Sequence, residues 1–444
     1  MNKEIINKLI IFFLIPVSLL IFIFLVPPFQ KPDEQPHFEK SLIISKGYLF
    51  CKKKFNNTVK LEKKYIDFIK NPYLDLLTHG KSSKLPLPVF FKDLFSVDRP
   101  GQKIDFNIDH LCSFPIISYL PQAFTLVIAS LFKFNPFFSL YFGRLIMGIL
   151  GYFWFLYLYR KIVDDYKPIL LFAFALPMTL HQISSFSYDV LHIMFALTFF
   201  VLIINYRLKK RVDFWQHFKL FFVLFLFLGS KKIGYETFFL FLFLIPLKIK
   251  PMLILSSIFI PFYFLSKVTG AYDLHSAFSN QIIFPSQQLN FLLSNPFNFF
   301  IVIGSTTIHR IGFYLQSMIG IFGWLEYGLD PLSYFLYGLF FIYILMNFNL
   351  TKKYVLNKMK NFLLFGILFI SYIYIILLAF VFNTQPGTLI AHGVQGRYFI
   401  PFLPFIILFI IQIKNNKIFQ KILYYLIVMF LISATIYSVI NRYY

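Results

Sequence analysis

The chain has 444 residues, of which 58% are hydrophobic and 14% charged, with a formal net charge of +23. A water-soluble domain averages about 25% charged residues, and no single soluble core could bury 64 phenylalanines spread along a whole chain, so a soluble protein is excluded. The positive charge sits in short clusters between apolar runs, as in cytoplasmic loops and headgroup anchors, which argues against nucleic acid and for membrane lipid as a partner.

The N-terminus is basic, and residues 9–26 form an apolar run ended by Pro27 and Pro28. The run is too long for a cleaved signal and no small-residue cleavage site follows, so it is expected to be an uncleaved first span with its N-terminus inside. Residues 27–115 are mostly polar and are expected to lie outside; with the apolar run that follows they make an outer loop domain, 27–137, containing interfacial helices. Cys51 and Cys112 both fall in it, and their spacing leaves open whether they pair. Further apolar runs cover about 116–132, 138–159, 168–183, 190–204, 214–228, 237–247, 251–265, 299–316, 332–346, 362–381, 399–413 and 418–440. The basic connectors Arg160-Lys161, 206–211, 351–360 and 414–421 all fall on the cytoplasmic side if 116–132 and 299–316 lie in the outer interface or dip in and return. The second of these carries Ser305, Thr306, Thr307, His309 and Arg310, poor company for lipid.

The expectation is an all-α polytopic membrane protein of about eleven transmembrane helices, within a range of 11–13, plus interfacial or re-entrant helices. Its divisions are a first span (1–26), the outer domain (27–137), core spans (138–267), an outer loop with an interfacial helix (268–331) and C-terminal spans (332–444).

With this topology the polar clusters not explained as basic anchors share the outer face. K-P-D-E-Q-P-H-F, at 31–38, follows the first span, and apolar residues then recur to Leu49 at near-helical spacing. This predicts a short amphipathic helix on the membrane surface, with Asp33 as its N-cap, Pro36 in its first turn and Gly47 at its end. Capping explains one carboxylate and not Asp33, Glu34 and His37 together. A carboxylate beside apolar lipid gains basicity, as an outward-facing general base needs. Glu34 and His37 could also share a divalent metal, though two ligands make a weak pattern and no cofactor is required. S-S-F-S-Y-D, at 184–189, reads equally as a turn with Asp189 capping the next helix or as a second acidic group at the level of Asp33. G-S-K-K-I-G-Y-E, at 229–236, puts Lys231 and Lys232, with Tyr235, on the outer side against the usual bias, where they suit a lipid-linked phosphate. In H-G-V-Q-G-R-Y-F-I-P-F-L-P, at 392–404, Gly393 and Gly396 would admit an anion to backbone amides, with Gln395 and Arg397 beside them. His181, His192 and Arg144, in or near spans, read as packing or loop-facing residues.

In order, P-D-E-x-x-H-F, P-I-I-S-Y-L-P-Q-A with Y-F-G-R-L, S-x-S-Y-D, S-K-K-x-x-Y, G-W-L and G-V-Q-G-R-Y-F-I-P-F-L-P resemble a bacterial family of predicted membrane proteins of unknown function grouped with the GT-C glycosyltransferases. The resemblance implies a GT-C-like fold in the cytoplasmic membrane and a sugar transferred from a polyprenyl-phosphate donor to a lipid or glycan acceptor outside. It implies Asp33 as catalytic carboxylate with Glu34 beside it and Asp189 as a second acid. Charge and position, not the family, assign Lys231, Lys232 and Arg397 to the carrier phosphate. His37 and G-V-Q-G-R-Y are not general GT-C features. The rival readings are a non-enzymatic carrier or flippase of lipid-linked glycan, which favours polar residues deep in spans and repeat symmetry, and a surface-polysaccharide polymerase or ligase.

Overall fold

The computed structural model describes residues 8–51, 56–71, 84, 101–209, 211–231, 234–246, 248–268, 283–347, 356–413 and 434–444. It is mostly helical. Among the described residues three helices are each long and apolar enough to cross a membrane: Pro136–Lys161, Asp189–Arg207 and Lys358–Asn383. The shortest, at 19 residues, rises about 28 Å at 1.5 Å per residue, close to the thickness of a bilayer core. Shorter apolar helices, including Ile10–Phe24 and Phe214–Gly229, pack around them.

The 26-residue Pro136–Lys161 helix and Asp189–Arg207 lie side by side and parallel. Trp154 Nε1 donates to Thr198 Oγ1 at 3.0 Å, and Asn205 Nδ2 donates to the Lys161 carbonyl at 2.9 Å. Both contacts join residues 44 apart in sequence, so one register runs along the pair. It brings Arg207 beside the chain that follows Lys161, where it donates to the Tyr166 hydroxyl at 2.6 Å. Lys360 lies within electrostatic reach of Arg207. Lys161, Arg207 and Lys360, from three of the basic connectors, therefore share one end of the molecule, and Asp189 lies at the other, level with Arg144. The fourth connector, 414–421, lies outside the described residues.

Three apolar runs take shapes that the sequence reading did not anticipate. The run at 168–183 breaks into Lys167–Ala175 and Pro177–Ile183, because Pro177 has no N–H to donate and holds Leu176 extended at ψ 134°. The run at 237–247 forms a nine-residue 3₁₀ segment, Glu236–Leu244, with Phe238, Phe241 and Leu244 buried at every third position. At about 2.0 Å per residue it rises only some 18 Å, too little to cross alone. In the first span, Ile10–Leu14 is a π-helical turn ahead of Ile15–Phe24, because Pro16 leaves the ladder without a donor.

The two runs expected not to cross differ from each other. Leu120–Leu131 is a 12-residue helix that exposes Leu120, Phe124, Val127 and Leu131 along one face, the form of an interfacial helix. Pro296–Gly320 has 25 residues, enough to traverse a bilayer core, and meets Pro285–Ser294 at 113°, a geometry shared by broken spans and re-entrant pairs.

Between the first apolar helix and Leu120–Leu131, Thr58–Glu62 pairs antiparallel with Lys103–Asn107, and Cys51 is bonded to Cys112 across a Cα separation of 5.7 Å. The predicted helix is present as Glu34–Ser45, but it is not a surface helix: it is buried from His37 to Ile44. Phe38 and Leu42 enter a core with Val59, Leu61, Tyr65 and Leu111, while Ile44 packs against Tyr119 and Ala123. Covered on both sides, this helix is fixed relative to the spans.

Candidate functional site

Two consecutive carboxylates at the start of that helix go to different places. Glu34 is fully buried and pairs with Arg144 of the Pro136–Lys161 helix: Arg144 Nε donates to Oε1 at 2.8 Å and Nη2 donates to Oε2. The backbone N–H groups of Phe29 and Phe186 donate to its two oxygens at 3.1 and 3.0 Å. Arg144 is also fully buried, and its remaining donors reach the carbonyls of Ile23 and Pro27 at 3.1 and 3.0 Å. Both oxygens of Glu34 are occupied, so it cannot share a metal with His37, and the arrangement gives it the part of a clamp on the end of the first span. Among the described residues no group of three or more His, Cys, Asp or Glu stands close enough to hold a metal ion.

Asp33 is the residue before the helix, and its side chain does not cap it. Its backbone sits in the left-handed region, φ 58° and ψ 15°, a conformation uncommon outside glycine and worth of order 1 kcal/mol or more. The carboxylate turns instead to Arg397, whose Nη2 donates to Oδ2 at 2.6 Å. Arg397 Nη1 stands 3.6 Å from Asp189 Oδ2, and Lys231 Nζ donates to Asp189 Oδ1 at 3.2 Å. The result is a row of alternating charge, Asp33, Arg397, Asp189, Lys231. Burial pushes the Asp33 carboxyl up, but the Arg397 charge and its hydrogen bond outweigh it and hold the group below the usual aspartate value. The expected gain in basicity is therefore reversed in the resting site: a guanidinium, not lipid, is its nearest neighbour.

His37 lies one turn further along. Its Nδ1 is 2.7 Å from the Tyr119 hydroxyl, its ring meets Tyr188 edge-on at 4.4 Å, and its Nε2 is buried without a hydrogen-bond partner. Burial lowers its pKa to about 4, so the imidazole is neutral near pH 7. Asp189 opens the Asp189–Arg207 helix without capping it. Lys231 Nζ lies 4.3 Å from the centre of the Tyr398 ring and 5.2 and 5.5 Å from those of Tyr188 and Tyr235. Tyr235 donates its hydroxyl to the Tyr398 carbonyl at 3.0 Å, joining the lysine loop to the Arg397 segment.

Arg397 is presented by a 3₁₀ turn, Gly396–Phe402. A Cβ on Gly396 would lie 2.1 Å from the backbone of Tyr314 and Met318, so only glycine lets this turn meet the Pro296–Gly320 helix. The Gly396 N–H donates to Ser317 Oγ at 2.8 Å. The sequence reading offered that amide to an anion; the structure uses it to brace Arg397. Gln395 stands at the head of the turn with its Oε1 buried and unpartnered.

The structure thus brings together Asp33, His37, Asp189, Lys231, Tyr235 and Arg397, sets Gln395 beside them, and takes Glu34 away. Lys232 lies outside the described residues. Tyr119, Tyr188 and Tyr398 line the site and were not singled out from sequence, although each sits inside or beside a motif that was. Arg144, read as a packing residue, proves to be the partner of a predicted site carboxylate, and an arginine in an otherwise apolar helix was the signal.

No curated protein and no solved structure matches the chain. A family model does, over residues 16–406, a stretch that takes in every group of the site from Asp33 to Arg397. The chain belongs to that family, described as predicted membrane protein (DUF2142).

Proposed function

We propose that this protein is a membrane glycosyltransferase that moves a sugar from a polyprenyl-phosphate donor to a lipid or cell-surface glycan acceptor on the outer face of the bacterial cytoplasmic membrane. The observation that carries the reading is where buried polar atoms lack partners. Around the row from Asp33 to Lys231, His37 Nε2 and Arg397 Nε are buried without hydrogen-bond partners, and Arg397 Nη1 and Asp189 Oδ2 meet only across 3.6 Å. Such atoms are rare in a folded protein and call for a ligand or a catalytic role. Here they offer cationic N–H donors to anionic oxygens and acceptors to hydroxyls, the two needs of a sugar phosphate.

In the reaction, the acceptor hydroxyl attacks the anomeric carbon as the bond from that carbon to the phosphate oxygen breaks. The hydroxyl proton passes to Asp33, and the departing polyprenyl phosphate keeps the bonding pair, its charge met by Arg397 and Lys231. Asp189 holds the two cations at a fixed spacing. The topology behind this reading is about eleven crossings with a GT-C-like arrangement. The Cys51–Cys112 bond supports an oxidising outer side for residues 27–137, and the gathering of Lys161, Arg207 and Lys360 at the far end supports a cytoplasmic side there.

The test compares surface glycans, by mass spectrometry, in strains carrying wild type, a deletion, or Asp33→Asn at equal protein level. The expected result is the same missing sugar in the deletion and in Asp33→Asn. If the deletion changes the glycan and Asp33→Asn does not, the carboxylate is not the base and a non-enzymatic carrier becomes the better account.

A further inference from the structure

A guanidinium offers carboxylates and phosphates two paired edges: Nε with Nη2 on its side, and Nη1 with Nη2 at its end. In Arg397 the two edges share Nη2, and Nη1 of the end edge faces Asp189 at 3.6 Å. Nη2 holds Asp33 Oδ2 at 2.6 Å, and Nε beside it is buried with no hydrogen-bond partner. A phosphate that takes the side edge with two parallel bonds, the arrangement arginine favours, binds through Nε and Nη2, and Nη2 is the nitrogen that holds Asp33.

The two partners are not equally free to move. The Asp33 side chain is 42% exposed and is tied to Arg397 by one bond. The Arg397 side chain is 4% exposed, its backbone is pinned by Gly396 against the Pro296–Gly320 helix, and its Nη1 faces Asp189. When an anion arrives, Asp33 is the group that yields. Charge points the same way. Among the described residues two carboxylates, Asp33 and Asp189, balance two cations, Arg397 and Lys231, and His37 is neutral. An added phosphate tips this balance negative unless a carboxylate leaves or accepts a proton.

We propose that Asp33 and the phosphate of the donor compete for the side edge of Arg397, so that donor binding releases the carboxylate to face the acceptor hydroxyl. This rests on the transferase reading and adds an order to it: the donor binds first, and the base is available only afterwards. Arg397 is then a positioning residue for Asp33 as well as a phosphate ligand. A released carboxylate beside a new negative charge is also more basic, which removes the objection that the paired Asp33 is too weak a base.

The experiment measures binding of polyprenyl monophosphate to the purified full-length protein in phosphatidylcholine nanodiscs. The proteins are wild type, Asp33→Asn, Asp33→Gly and Arg397→Lys; asparagine and glycine both accept the left-handed backbone at this position. Competition predicts that both Asp33 variants bind about tenfold more tightly than wild type, the equivalent of one charge-assisted hydrogen bond no longer displaced, and that Arg397→Lys binds more weakly. Unchanged or weaker binding in the Asp33 variants, with Arg397→Lys still impaired, overturns the competition and leaves the phosphate site standing. Binding indifferent to all three substitutions overturns the phosphate reading itself. Phosphatidylglycerol is the second probe. If it shows the tightening and polyprenyl monophosphate does not, the edge serves a bulk headgroup and the donor-coupled order is wrong.

Discussion

Asp33 and Glu34 are adjacent acids, each facing an arginine from a distant part of the chain, and they form pairs of opposite kinds. In the Glu34–Arg144 pair both side chains are fully buried, both carboxylate oxygens are in use and the spare arginine donors end on backbone carbonyls. In the Asp33–Arg397 pair one partner is two-fifths exposed, one bond joins them, and two nitrogens of the guanidinium lack hydrogen-bond partners. A closed pair of the first kind fixes the Glu34–Ser45 helix against Pro136–Lys161 and the end of Ile15–Phe24. An open pair of the second kind is held ready for something else. The difference teaches that a buried charge pair is read by its leftover valences: saturation marks structure, and shortage marks a site.

The sharpest way to break this comparison is to remove one member of each pair. Glu34→Gln leaves the Arg144 charge buried without its counter-ion, at a cost of about 3–5 kcal/mol. The expected result is loss of monodisperse protein in detergent and a large drop in the thermal unfolding midpoint. Asp33→Asn keeps the backbone conformation and is expected to leave that midpoint close to wild type. If Asp33→Asn proves the more damaging of the two, the assignment of structure to one pair and chemistry to the other is reversed.

The next effect concerns the platform that carries both pairs. The Cys51–Cys112 bond closes a loop of 61 residues in sequence, for which the loss to reduction or to a Cys51→Ser, Cys112→Ser double variant is about 2–4 kcal/mol. Because the bond ties the segment around Thr58–Glu62 and Lys103–Asn107, the loss is expected as protease sensitivity of residues near 51–112, with the first apolar helix and its Glu34 clamp still intact. Equal protease sensitivity of wild type with and without reductant is the result against it.

How far the sequence could anticipate this arrangement depended on the range of the deciding contact. Lipid imposes runs of apolar residues, so the long apolar helices and their basic ends were legible locally. The sequence reading grouped Asp33, His37, Asp189, Lys231, Tyr235 and Arg397 on one face through their polar loops, and the structure sets these six side by side. What separated Asp33 from Glu34 was not legible: the two share one local context, and their partners lie 364 and 110 residues away. The same holds for Gly396, read as an anion-binding amide; its backbone contact with Tyr314 and Met318 is tertiary. The 3₁₀ segment at Glu236–Leu244 was legible and was missed, since Phe238, Phe241 and Leu244 repeat at three, not at 3.6.

The smallest effect separates the two pairs by pH. Burial lowers the His37 pKa to about 4, from about 6.5 in the unfolded chain. Between those values the unfolded state binds more protons than the folded one, so stability rises with pH there. His37 imposes no penalty above about pH 6.5, and stability is lost progressively as pH falls toward 4. Glu34 and Asp33 both titrate below their ordinary carboxylate values when folded, so their ion pairs are lost only at lower pH. Over a thermal midpoint series from about pH 7.5 to 4.5 the His37 contribution to wild type is therefore expected to fall by about 2 kcal/mol. His37→Gln, which keeps a polar side chain next to Tyr119 and has no charge to gain, is expected to flatten that slope. Parallel slopes for the two proteins would mean that the imidazole is already hydrated in the folded state, and that the partnerless Nε2 does not mark an unfilled ligand position.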